Sequence, residues 1–208
     1  MNRPLVLACG ALVAELRAVL SANGLTEQVD VRYLPANLHN RPDHIVPAVR
    51  TLLDEIDPLA QRPVLIGYAD CGTGGGLDRL LAEMPRLQRL PGSHCYEFFA
   101  GTAVFEAMQD GELGTFYLTD FLAKHFDALM WQGLGLDRHP QLLSVYFAHY
   151  TRVVLLSQST DESVVAAART AAERLGLRFE HRHVGLTQFG DAVNASINVR
   201  LNGSRKVA

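Results

Sequence analysis

Asp70-Cys71-Gly72-Thr73-Gly74-Gly75-Gly76-Leu77-Asp78 follows the apolar run Val64-Leu65-Ile66-Gly67-Tyr68-Ala69 and precedes apolar positions at Leu77, Leu80 and Leu81. A short continuous apolar run, a glycine turn and a helical spacing read as strand, loop and helix. The loop then lies at the carboxyl end of a buried strand. Its glycines permit positive φ and let a ligand approach main-chain N–H groups closely. On that reasoning Gly72, Thr73, Gly74 and Gly75 are candidate cofactor- or anion-binding residues. No Lys-Ser or Lys-Thr closes the loop, and its glycines miss the GxGxxG register, so neither common phosphate-binding motif is present.

Upstream, Leu5-Val6-Leu7-Ala8-Cys9-Gly10 is a second apolar run ending in glycine, followed by a helical pattern from Ala11 to Leu20 and a stop at Asn23-Gly24. Val29 to Leu34 reads as a strand ended by Pro35. Ile45 to Ile56 reads as an amphipathic helix with Pro47 in its first turn. Three strand–helix alternations predict an α/β fold: a doubly wound, mostly parallel sheet with helices on both faces. Downstream the pattern gives a short strand at Leu87–Leu90, helices over Phe98–Met108, Gly114–Phe126 and Leu142–Tyr150, and a buried strand at Val153–Ser157. A helix over Glu162–Leu175, a strand over Leu177–Val184 and a helix from Phe189 complete the chain, fraying over Asn202-Gly203-Ser204-Arg205-Lys206. The expected organisation is one α/β domain over 1–208 with a helical insertion or lid at about 96–150.

Composition narrows the function classes. Hydrophobic residues make up 48% of the chain and charged residues 20%, which supports a sizeable core and argues against disorder. A net charge of −3 with scattered Lys and Arg leaves no electrostatic footprint for nucleic acid, so the expected partner is a small-molecule substrate. The first apolar run meets Glu15 and Arg17 too soon for a leader or membrane span, and a cytoplasmic location is expected, with no membrane partner. Three cysteines in a reducing compartment are then buried residues, ligands or reactive thiols rather than a disulfide framework.

In a parallel sheet, ligands collect at the carboxyl ends of strands. Cys9, His39 and Cys71 fall there from three separate connections, and His94-Cys95 lies in a fourth loop. Cys9, Cys71 and Cys95 with His94 and His39 would make a sulfur-rich metal site suited to zinc or iron. No CxxC or HExxH spacing is present, and buried structural cysteine is the alternative for each. His94 beside Cys95 also suggests an activated nucleophile, with Glu97 orienting it or exchanging protons. Asp70 is a catalytic candidate at the loop, while Asp78 reads as a first-turn acid of the next helix. Asp120 sits among aromatic residues and either bonds structurally or faces the site. Arg138 is an anion-clamp candidate or an exposed turn residue. His181 and His183 share a strand face and form a candidate ligand pair, although exposed strand histidines are usually just exposed.

At Ala8-Cys9-Gly10-Ala11-Leu12, Leu38-His39-Asn40, Asp70-Cys71-Gly72-Thr73-Gly74, Gly92-Ser93-His94-Cys95-Tyr96-Glu97 with Ala100-Gly101, and Gly114-Thr115-Phe116-Tyr117-Leu118-Thr119-Asp120-Phe121, the chain resembles a bacterial and archaeal family of unknown function numbered sixteen thirty-eight. The resemblance implies a cytosolic protein of uncharacterised activity, with some family members encoded near corrinoid-dependent methyltransferase systems, which makes a methyltransferase-system protein a candidate partner. It implies no residue role. The residues themselves point to a metal-thiolate enzyme of thiol or one-carbon (methyl) metabolism, a transferase or lyase. A metal-free cysteine enzyme with an anion-binding glycine loop, or a non-enzymatic accessory protein of corrinoid systems, are the alternatives. No AspxHisxxGly pattern is present, which disfavours corrinoid carriage through a lower-axial histidine.

Overall fold

The computed structural model describes residues 3–203. Its strands are β1 Leu5–Cys9, β2 Asp30–Leu34, β3 Val64–Gly67, β4 Leu87–Arg89, β5 Thr115–Leu118, β6 Arg152–Ser157 and β7 Arg178–His183. Its α-helices are α1 Val13–Ala22, α2 Ile45–Ile56, α3 Gly76–Glu83, α4 Cys95–Ala100, α5 Thr102–Gly111, α6 Asp120–Lys124, α7 Leu143–Tyr146, α8 Glu162–Leu175 and α9 Thr187–Gly203. The chain divides into two compact units, Met1–Phe98 with Thr187–Ala208, and Phe99–Leu186. Each has its own all-parallel sheet, so the α/β class expected from the sequence is met with two sheets where one was expected.

In the first unit the strand order is β2-β1-β3-β4. Leu5, Val6, Leu7 and Ala8 are all at most 1% exposed, so the strand is covered on both faces, as its unbroken apolar run requires. Because β2 and β3 flank β1 on opposite sides, right-handed crossovers put α1 and α2 on opposite faces of the sheet. One face packs Leu5, Leu7, Val64, Ile66 and Tyr68 against Ile45, Val49 and Leu53 of α2 and Leu77 and Leu80 of α3. The connection after β1 runs to β2 on one side and the connection after β3 runs to β4 on the other, which makes the carboxyl edge between β1 and β3 the topological switch point. Gly10 lets the β1 exit approach that of β2: a Cβ there would lie 2.8 Å from the Leu34 carbonyl oxygen.

In the second unit the order is β5-β6-β7. The expected helix over Gly114–Phe126 is β5 followed by α6. Phe116-Tyr117-Leu118 is a short apolar run whose periodicity does not separate strand from helix. Thr119 accepts a hydrogen bond from Leu122 N at 3.3 Å and starts the helix only there. The expected helix over Phe98–Met108 is broken at Gly101, whose φ of +85° ends α4 before α5 begins. Over Leu142–Tyr150 only Leu143–Tyr146 is α-helical, preceded by a 3-10 turn at Pro140–Leu142. The segment read as a helical insertion therefore contains a strand of the second sheet. Helix α9 runs through Gly203, and the fraying expected at Ser204, Arg205 and Lys206 lies outside the described residues. No helix among the described residues is long and apolar enough to cross a membrane.

Candidate functional site

The pleat and register of the first sheet bring the expected residues together. Ala8 pairs with Gly67 across β1 and β3, so the next residues, Cys9 and Tyr68, leave the sheet side by side at the switch point. Cys9 and Cys71 both pack against the core cluster that includes Tyr68, on the α2 and α3 side of the sheet. The turn carrying Cys71 is tied to the turn before α4: Asp70 N donates to Gly92 O at 3.1 Å and Cys71 N to Ser93 O at 2.8 Å. Those two bonds bring the Cys71 loop alongside Cys95, the first residue of α4. Cys71 is itself held at φ +49°, a left-handed backbone that costs a non-glycine residue about 1 kcal/mol.

The three cysteines are free and half-buried. Burial pushes the Cys9 thiol above its ordinary value, against the pull of the Ala11 N–H, which donates to Cys9 Sγ at 3.5 Å, and of the Tyr68 hydroxyl. Cys71 is pushed up to about 12, by burial first and by the field of Cys9 second. Burial, then the fields of Cys71 and Cys9, place Cys95 well above the ordinary thiol range. Cys9 thus opposes ionisation of Cys71 and Cys95, and Cys71 that of Cys95, which places the three in one electrostatic environment. Arg89 feels the field of Cys71 but is committed to Asp78 through bonds of 2.6 and 3.0 Å. Asp78 therefore serves as a first-turn acid of α3 with an arginine partner, as its position suggested.

Tyr68 is a member of this group that the sequence reading passed over. Its hydroxyl is buried without a hydrogen bond of regular geometry, yet lies close enough to Cys9 for each to shift the other's titration. Burial and then the Cys9 field raise that hydroxyl far above its ordinary value, so it stays protonated. The signal was available: a tyrosine ends an otherwise aliphatic strand immediately before the loop. His39, in the 3-10 turn after β2, is half-buried, and burial together with the neighbouring His94 lowers its pKa, keeping the imidazole neutral. His94 is exposed.

The glycine loop holds an anion of its own. Asp70 accepts from Thr73 Oγ1 at 2.6 Å, Gly75 N at 2.9 Å and Gly74 N at 3.1 Å, so its carboxylate occupies the cradle that the glycines form. Burial raises its pKa, but the bonds from Thr73, Gly75 and Gly74 outweigh that and hold it below the usual carboxylate range. Gly72, at the mouth of the loop, packs against Pro42: a Cβ there would meet the Pro42 ring at 3.3 Å. Glu97 reaches back to the preceding turn and accepts from Ser93 N at 2.7 Å and Ser93 Oγ at 3.1 Å, bracing the loop that holds Cys71. Asp120 belongs to the second unit, where it is 5% exposed and its carboxylate accepts from Gln158 N, Ser159 N and Ser159 Oγ. Arg138 is exposed beside Asp137.

Among the described residues, no three His, Cys, Asp or Glu side chains stand in the geometry that holds a metal ion. The thiols share a field but do not form a closed chelate. Residues 33–193 match the model of a family described as a protein of unknown function, DUF1638, and the chain belongs to that family. The match takes in His39, Cys71, His94 and Cys95 and begins after Cys9. No curated protein and no solved structure matches the chain.

Proposed function

For this member of DUF1638 we propose a metal-thiolate enzyme in which Cys9, Cys71 and Cys95, assisted by His39 or His94, take zinc or iron at the switch point of the first sheet. The observation that carries the proposal is the convergence of the three thiols at the carboxyl edge: Cys9 and Cys71 pack against one core cluster, the bond from Cys71 N to Ser93 O brings that loop alongside Cys95, and burial raises all three thiols, with the field of Cys9 raising Cys71 and Cys95 further. Thiols in such a setting stay protonated and inert unless a cation joins them. A soft ion coordinated by the sulfurs displaces their protons and supplies that charge. The donor set suits such an ion: three thiols, and an imidazole whose lowered pKa leaves its lone pair free. Rotation of the three side chains has to close the set, since the present positions do not.

The chemistry proposed is transfer of a small alkyl or one-carbon group to or from sulfur, for which an ion held by these thiols would supply polarisation of a substrate thiol. Tyr68 would then donate a hydrogen bond into the site from a hydroxyl that burial keeps protonated. The Asp70 loop and the Glu97 brace would hold Cys71 in place. A methyltransferase-system protein is the partner that goes with this reading, and co-purification with such a protein tests it. A metal-free cysteine nucleophile is less well supported, because an activated thiol lies below its ordinary value and all three here lie above it.

Elemental analysis of the full-length protein purified without chelator tests the proposal. About one equivalent of zinc or iron per chain is expected, with loss of most of it in Cys71→Ser and Cys95→Ser variants that still fold. Wild-type protein that neither retains metal nor takes up added zinc or ferrous iron would overturn it. Metal retained without any turnover of thiol or methyl-donor substrates would instead make the protein a carrier.

A further inference from the structure

The second unit carries its own polar cluster at the carboxyl ends of β6 and β7. Ser157 ends β6, is fully buried, and pairs in register with His183, with Leu155 opposite His181. Its Oγ lies 2.9 Å from His181 Nε2 and 3.1 Å from His183 Nδ1. A hydroxyl has one proton, so Ser157 donates to one ring nitrogen and accepts from the N–H of the other. The ring that accepts from Ser157 carries its N–H on the other nitrogen, so the array keeps at least one N–H for a ligand, and its two rings are held in fixed orientation by a group that solvent does not reach.

Both imidazoles line an open pocket of about 520 Å³ together with Ser159, Thr160, Glu162 and Arg169. That volume suits a small molecule. The Arg169 guanidinium lies 4.7 Å over the Phe179 ring and, among the described residues, forms no ion pair, which leaves its N–H edge for a ligand. The rim of the pocket is built in advance. The buried Asp120 carboxylate accepts from Gln158 N at 3.0 Å, Ser159 N at 2.9 Å and Ser159 Oγ at 2.5 Å, and Asp120 N donates to Gln158 Oε1 at 3.0 Å. These bonds clamp the turn that presents Ser159 and Thr160.

We propose that this pocket binds a phosphate group, free or as a monoester, through Arg169, the outward N–H of the His181–Ser157–His183 array and the Thr160 hydroxyl. The donors come from three elements, α8, β7 and the turn after β6, and converge from different directions. That arrangement matches a tetrahedral oxyanion with several free oxygens, whereas a planar carboxylate is satisfied by the arginine fork alone. Glu162, two helical turns before Arg169 on the same face of α8, disfavours a second negative group on the ligand. This site is independent of the thiol cluster of the first unit.

Isothermal titration of the full-length protein with inorganic phosphate, glycerol 3-phosphate and acetate tests the proposal. Phosphate or the monoester is expected to bind in the millimolar range or tighter, and acetate about tenfold more weakly. Preference for the monoester identifies a phosphorylated metabolite, and equal affinity identifies the free ion. Arg169→Gln and the double change His181→Gln with His183→Gln should each weaken binding about tenfold or more, and Glu162→Gln should tighten it. All four positions are exposed, so these variants are expected to keep the wild-type melting transition. Absence of binding at about 10 mM phosphate, acetate binding as well as phosphate, or an Arg169→Gln variant with unchanged affinity would each overturn the assignment.

Discussion

Cys71 combines a left-handed backbone at φ +49° with a thiol that burial and the nearby Cys9 push up to about 12. A folded-state pKa above the ordinary thiol value means that folding favours the neutral thiol. That contribution is fully present below about pH 9, where the unfolded thiol begins to ionise, and is lost as pH rises toward 12. In metal-free protein, alkylation of Cys71 should therefore be slow at neutral pH and keep accelerating beyond pH 9, where an ordinary thiol levels off; peptide mapping by mass spectrometry after timed iodoacetamide treatment reads this directly. Asp70 has the opposite sign. Its carboxyl is held below the usual range, so its stabilisation is present above about pH 4 and is lost as pH falls through the lowered folded value. Asp70→Ala removes the acceptor for Thr73, Gly74 and Gly75. It should cost about 1 kcal/mol at pH 7, and the gap from wild type in denaturant titrations should close in acid.

At the level of elements, the site depends on how closely strands leave the sheet. Gly10 follows β1 where an added Cβ would stand 2.8 Å from Leu34 O and 3.1 Å from Ala36 N, both main-chain atoms that cannot swing aside. Gly10→Ala should destabilise the first unit by about 1–3 kcal/mol in urea unfolding, because the β2 exit has to move and with it the 3-10 turn carrying His39. An unchanged unfolding midpoint would show that the two exits are not in contact. The apolar runs that form β1 and β3 and the spacing that forms α2 are local properties, and they were readable in the chain. The β5 strand was not, because the three aromatic and apolar residues Phe116, Tyr117 and Leu118 before a capping threonine fit either secondary structure, and only pairing with β6 decides between them.

Over the whole molecule, the first unit is completed by a segment distant in sequence. Helix α9 returns to it, with Phe189, Val193 and Ile197 at most 2% exposed and Phe189 stacked on Phe98 at 5.1 Å between centroids. Ending the chain after Leu186 should remove about 5 kcal/mol of apolar burial from that unit, an upper estimate given compactness of the unfolded chain. Calorimetry should then show its transition lost or lowered, while the unit of residues 99–186, which has its own sheet and core, keeps a cooperative transition. A single transition that falls as one would argue against two separate units.

The glycine loop after a buried strand, the placement of Cys9, His39 and Cys71 at strand ends and the parallel α/β class follow from patterns a few residues long, which is why composition and periodicity were enough to reach them. The partnership of Tyr68 with Cys9 needed the Ala8–Gly67 register, and the array of Ser157 with two histidines needed the pairing of β6 with β7. That Asp70 fills its own loop, that Asp120 clamps a turn 38 residues away, and that the strands divide into two sheets are likewise long-range outcomes. Local sequence sets which backbone states are cheap, but which side chains meet is decided by strand order and register. Those depend on burying the whole core at once and leave no trace in any short stretch of the chain.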